Sequence, residues 1–177
     1  MDLIRMFCIL LCVVLIQNIS FGQDKKNKQV IPNDSTYQDN IKKSRLYGIY
    51  IPRDIDDALS KLMELTDEDA RKPLKEVSED IMVKKLYFGL GRWMEYNWNF
   101  EEGSRFSHYL RLKGLYYTED MTRFMLTLFH RHINQRPLES EKLIKTLIDQ
   151  RSLKIKEAQS KMEIIHSEKS KKSNIKQ

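Results

Sequence analysis

Apolar residues recur along most of this chain at the three-and-four spacing of a helix that hides one face, and almost nowhere at the spacing of two expected of a half-buried strand. Ile55, Ala58, Leu59 and Leu62 form the first such stripe. Asp54 precedes it as a cap, and Asp56 and Asp57 suit the positive end of the helix dipole. Thr66-Asp67-Glu68-Asp69, a near-match to the capping box with Asp in place of Glu or Gln, opens a short helix that Pro73 disturbs or ends. Ser78, Glu79 and Asp80 start the next helix, whose inward stripe is Met82, Leu86, Leu90 and Trp93 and ends in Asn97. Lys84, Lys85, Arg92 and Glu95 fall largely on its other side. Ser104 caps a helix carrying Phe106, Tyr109, Leu110 and Leu112, stopped by Gly114. Thr118 caps another, with Met121, Phe124, Met125, Leu128 and His132 facing inward, ending before Pro137. Only residues 47–51 alternate, and Pro52 holds Ile51 extended. The pattern predicts an all-α fold: a compact bundle of about five helices with a short extended lead-in. Residues 86–106, which hold both tryptophans, are the segment around which the rest is expected to be organised.

The flanks read differently. From Leu138 onward there is no Gly or Pro, and Ile144, Ile148, Arg151, Ile155, Ala158, Met162 and Ile165 are spaced alternately four and three apart. This predicts a long amphipathic helix over residues 138–166. Its seam offers self-association through Ile144, Ile148, Ile155 and Met162, or the clamping of a partner; Arg151 and Ala158 weaken the seam and favour packing on its own domain or fraying in solution. Residues 167–177 read as a disordered basic tail, residues 23–46 as a disordered polar linker, and residues 47–137 as the helical domain. Residues 6–16 are an apolar run of signal-peptide length, short of the ~20 needed to span a bilayer. Small residues at Ser20 and Gly22 place cleavage before Gln23, giving a signal peptide over residues 1–22. An uncleaved N-terminal anchor is the alternative, since Arg5 alone makes a weak basic region. The expectation is an exported, periplasmic or secreted protein with no stable membrane insertion after cleavage.

Composition narrows the chemistry. Both cysteines, Cys8 and Cys12, lie in the signal segment, so the mature chain has no thiol for a disulfide, a nucleophile or a zinc site. The formal charge of +6 is concentrated in the flanks, while residues 45–136 are balanced. A nucleic-acid-binding domain carries its basic patch on the folded part, so no nucleic-acid partner is expected. His130 and His132 stand two apart on a helix, roughly 200° around its axis, and cannot share a metal; His132 is expected to face the core and His130 the rim. Glu95, Glu101 and Glu102 lie near Trp93 and Trp98, as in a carboxylate pair beside an aromatic platform. Ser104 and Ser107 are near His108 without a nucleophile elbow. Gly89-Leu90-Gly91 lacks the Lys-Ser/Thr of a phosphate loop, and two helix glycines there imply close approach of a neighbour or a kink. No catalytic set, metal site or cofactor is assigned. The polar and aromatic residues proposed to form a binding edge are Arg92, Asn97, Trp98, Arg105, Tyr109 and Arg131.

Phe88-Gly89-Leu90-Gly91-x-Trp93, Asn97-Trp98, Ser104-Arg105-Phe106-x-x-Tyr109, Glu119-Asp120-Met121 and His130-Arg131-x-x-Asn134 form one pattern, preceded by Ile51-Pro52 and Ala58-Leu59. It resembles an uncharacterised family of small bacterial domains, common in Bacteroidota, that carries a domain-of-unknown-function label, and the likeness covers residues 51–134. In that pattern the position of Glu95 is often basic and that of His132 often aromatic, which argues against a family-wide catalytic or metal role for either. The resemblance implies no established reaction and no cofactor. The reading that follows is an exported, non-catalytic helical domain binding a protein or a cell-envelope component. The alternatives are a small envelope hydrolase acting on glycan or peptide, which requires Glu95, Glu101 and His130 to converge on one cleft, and an immunity-like toxin-neutralising protein.

Overall fold

The computed structural model describes residues 34–174; the expected signal peptide and residues 23–33 lie outside the described residues. In chain order the elements are α1 (Ser35–Asn40), β1 (Arg45–Leu46), β2 (Ile49–Tyr50), α2 (Ile55–Leu65), α3 (Glu68–Lys75), α4 (Glu79–Leu86), a π-helical segment (Tyr87–Gly91), α5 (Arg92–Asn97), α6 (Arg105–Leu112), α7 (Thr118–Ile133) and α8 (Ser140–Asn174). The two short strands pair antiparallel, Arg45 with Tyr50 and Leu46 with Ile49, and the other described elements are helical.

Local chemistry explains most boundaries. Asp54 accepts the amide of Asp57 and caps α2, whose buried face is Ile55, Ala58, Leu59 and Leu62. The cap of α3 is Asp67, bonded to the amide of Ala70, and not Thr66. The Thr66 hydroxyl is instead committed to the carbonyl of Leu62, 2.7 Å away, which closes α2. Pro73 sits inside α3, and the helix ends two residues later at Lys75. Ser104 and Ser107 form a reciprocal capping box at the start of α6. Tyr117 takes the cap position of α7, without a side-chain bond, and Thr118 is its first helical residue.

The centre of the fold is α7 rather than residues 86–106. It packs against α2, α3, α4, the π segment, α5 and α8, and it is buried nearly all round, at Met121, Thr122, Phe124, Met125, Leu126, Leu128, Phe129 and His130. A helix apolar on so many sides has to be enclosed. The expected stripe on residues 82–97 is correct only to Leu86. The π segment inserts one residue, which turns everything after it by about 100°. The buried positions thereafter are Gly91, Met94 and Trp98, each one residue beyond the expected Leu90, Trp93 and Asn97. Trp98 meets Trp93 and Phe106 edge to face, with centroids 5.8 and 5.5 Å apart.

The segment expected to be an unstructured linker carries ordered structure from Asp34 on. Asp34 caps α1, and Tyr37 is wholly buried. The Tyr37 ring lies against Gly103, where a Cβ would come within 2.2 Å of it, and Gly103 itself has a φ of +108° that favours glycine. The Arg111 guanidinium lies 5.3 Å from the centroid of the same ring, and the Tyr37 hydroxyl is 2.9 Å from His108 Nδ1. Burial, aided by Arg111, pushes the His108 pKa down, so this imidazole favours its neutral form. Polar composition hid an anchor that a single aromatic side chain supplies.

The long C-terminal helix is present and runs through Asn174, into the residues expected to be a disordered tail. Its first turns are docked, with Ile144 and Leu147 buried in the core. Arg151, expected to weaken the seam, joins α8 to the start of α7 through two bonds to Asp120 (2.8 and 2.7 Å) and one to Glu119 (2.7 Å). Beyond it Leu153 and Met162 are exposed.

Candidate functional site

The six residues proposed as a binding edge do not form one surface. Trp98 is 1% exposed and belongs to the core, because the π insertion turns it inward. Arg105 donates twice to the carbonyl of Ile51 and lies over the ring of Tyr50, so it ties the β2–α2 connection to α6. Tyr109 is stacked parallel to Phe106 and covered by Lys113. Arg131 forms a forked ion pair with Glu79, at 2.9 and 3.1 Å, and donates to the carbonyl of Leu138 at 2.6 Å. These are structural ties. Only Arg92 and Asn97 share a cleft.

That cleft, about 830 Å³, lies between the β1–β2 turn, α5, the loop after it and the start of α7. Tyr47 and Tyr96 line it, and each is 86% exposed. Arg92 and Asn97 come from α5, and Glu101 and Glu102 from the following loop. Glu95 is held in place by neighbours on three elements. Arg92 Nη1 donates at 2.6 Å to one oxygen, and the Thr122 hydroxyl donates at 2.7 Å to the other. The Tyr87 hydroxyl approaches that second oxygen at 3.4 Å. Burial, then the Glu95 charge, pushes the Tyr87 pKa up. The Asn97 amide donates to the carbonyl of Trp93, 2.9 Å away, at the end of α5.

Tyr47 is the least expected member of this cleft. It has a φ of +49° and precedes Gly48 at +82°, so the two make a tight hairpin turn in the left-handed region. For a residue with a Cβ that conformation costs roughly 1–2 kcal/mol. Neither packing nor backbone preference explains a tyrosine there. Tyr47 and Tyr96 were absent from the residues expected to bind. The usable signal was the Tyr47-Gly48 pair at the start of the alternating stretch 47–51, where an aromatic before a glycine reads as a turn and therefore as exposed.

The convergence that a hydrolase needs is not found. Glu95 and Glu101 line the cleft, but His130 does not. His130 is 3% exposed, with Nε2 3.0 Å from the carbonyl of Val77, while His132 is exposed. This reverses the expected orientation of the two. The strip of α7 that carries His130 faces the α3–α4 connection, and His132 lies on the opposite side of the helix. Among the described residues no group of three or more His, Cys, Asp or Glu side chains is placed to hold a metal ion. No described helix is long and apolar enough to cross a membrane.

A family described as a domain of unknown function (DUF6794) matches residues 51–133. That span runs from just before α2 to the end of α7, so α1, the hairpin and α8 lie outside it. Neither the curated proteins nor the solved structures give a significant match to the chain.

Proposed function

We propose that the chain carrying this domain of unknown function is an exported, non-catalytic binding protein, and that the cleft between Tyr47 and Tyr96 receives a protein or a component of the cell envelope. The observation that carries the reading is Tyr47. A tyrosine held in a conformation costly for it, with its ring in solvent at the rim of a cleft, is strain kept at a surface and not in a core, where strain accompanies function. Tyr96 provides a second exposed ring, and Arg92, Asn97, Glu101 and Glu102 offer planar polar groups. Rigid aromatic anchors with adaptable polar neighbours suit recognition of a protein or glycan surface. The apolar run at residues 6–16 supports export. The seam of α8 keeps self-association within this reading, through Ile155 and Met162, because Ile144 is buried within its own domain and Ile148 rests against Gly114.

The test compares the purified protein with Tyr47→Asn and Tyr96→Ala in binding to the envelope fraction of the native cell. Asparagine tolerates the left-handed region, so Tyr47→Asn is expected to raise the urea midpoint by the equivalent of about 0.5–1 kcal/mol while weakening binding at least tenfold. A more stable protein that binds equally well would remove the cleft from the argument.

A further inference from the structure

A second cleft, about 560 Å³, lies between α4 and the start of α8, over α7. Val83 and Phe88 contribute one wall and Leu143 and Leu147 the other. Phe88 is 79% exposed, with its ring edge-on to Tyr87. Arg123 and Thr127, one turn apart on α7, both line it.

The lining holds four carboxylates (Glu79, Asp80, Glu119 and Glu139) and four cations (Lys84, Arg123, Arg131 and Lys142), so Arg123 is set apart by pairing and not by net charge. Glu79 is taken by Arg131, Glu119 by Arg151, and Glu139 by Lys142. Asp80 sits in the first turn of α4, at the positive end of that helix. Arg123 is half-buried, yet among the described residues it has no hydrogen bond and no ion pair. Its natural partner one turn earlier on its own helix, Glu119, is engaged by α8 instead. The hydroxyl of Thr127, a residue 8% exposed, also has no hydrogen-bond partner among the described residues. The polar atoms of Arg123 and Thr127 are not among the buried unpaired ones, so they stay open to whatever enters the cleft, and a guanidinium fork pairs with an anion in two parallel hydrogen bonds.

We propose that this cleft binds a fatty carboxylate, with the carboxylate on the Arg123 guanidinium and the Thr127 hydroxyl and the alkyl chain between Phe88 and Leu143. The volume is that of a small-molecule site, and apolar walls with a few convergent donors are the usual makeup of one. The fork of a guanidinium matches a carboxylate in two parallel hydrogen bonds. The α8 wall lies outside the matched family range, so the complete cleft is built from the domain and this chain's own C-terminal helix.

Calorimetry on the purified protein with decanoate, decanol and acetate, each below any micelle concentration, tests the assignment. Decanoate is expected to bind one to one, decanol at least tenfold more weakly, and acetate not measurably. Arg123→Gln should bring decanoate down to the level of decanol, and Phe88→Ala should weaken both. Among the described residues Arg123 has no hydrogen-bond or ion-pair partner whose loss would unfold the protein. Arg123→Lys serves as a second variant, keeping the charge without the fork, and is expected to bind decanoate several-fold more weakly than the parent. Equal binding of decanoate and decanol, undiminished decanoate binding by Arg123→Gln, or no decanoate binding at all would each overturn the proposal.

Discussion

Gly91 and Gly89 stand two positions apart and answer to different constraints. A Cβ on Gly91 would lie 2.8 Å from Cγ2 of Thr122 and 3.4 Å from Cδ1 of Leu126, both on α7. Thr122 is fully buried and holds Glu95, so it has nowhere to retreat. A Cβ on Gly89 would meet nothing within 4 Å. Gly91→Ala is therefore expected to cost about 1–3 kcal/mol through overpacking. Gly89→Ala should gain about 0.5–1 kcal/mol by restricting the unfolded chain. Chemical denaturation of the two variants checks both signs. The reading that two helix glycines imply a close neighbour was right for Gly91, and nothing in the structure explains Gly89.

Among the elements, the π segment and the seating of α8 matter most. The extra residue at Tyr87–Gly91 brings Trp98 inward and leaves Tyr96 on the cleft, so one backbone irregularity decides which aromatic is core and which is surface. Arg151 seats α8 in a comparable way. Its hydrogen bonds to Asp120 push its pKa up, and its bond to Glu119 pulls that carboxyl below the usual glutamate range. Arg131 lowers Glu79 in the same manner. A depressed carboxylate adds stability that is fully present above its unfolded value, about 4.3, and is lost as pH falls through the lower folded value. Arg151→Met leaves the buried Asp120 carboxylate without its cation, and is expected to destabilise the protein by about 3 kcal/mol at neutral pH. It should also flatten the acid side of the stability profile by the share of Glu119, leaving that of Glu79. Thermal melts of parent and variant from pH 3 to pH 7 measure both effects; parallel profiles would dissociate Glu119 from Arg151.

The whole molecule is a domain closed by pieces outside the matched family range. Tyr37 from α1 fills a place against Gly103 and Arg111, and Ile144 and Leu147 from α8 complete the core. Truncation after Ser152 is therefore expected to leave the melting temperature nearly unchanged. Truncation at Leu138 should lower it steeply, since two buried aliphatic side chains and the Arg151 tie leave together, each aliphatic contributing about 1.5–3 kcal/mol. Circular dichroism melts of the two truncated chains check this. Light scattering on the parent and the chain ending at Ser152 then reports on self-association through the remaining seam. Residues 51–133 alone should fold poorly by the same reasoning.

The helical class, the inward face of α2, the capping role of Ser104 and the long final helix were legible in the residues, because caps and three-and-four spacing act within a few positions of one another. The family match covers residues 51–133, which bears out a domain of unknown function there. The site was barely legible: Arg92 and Asn97 reach one cleft, Arg131 lines the other while paired with Glu79, and Trp98, Arg105 and Tyr109 hold the fold together. Periodicity assumes an uninterrupted helix, and one inserted residue in the π segment moved every later prediction on that helix by a position. It also cannot tell which neighbour will cover a given face. Only the folded chain enclosed α7, buried His130 in place of His132, anchored Tyr37, left Tyr47 exposed on its turn, and left Arg123 unpaired among the described residues, since each of these outcomes depends on residues far away in sequence meeting in space.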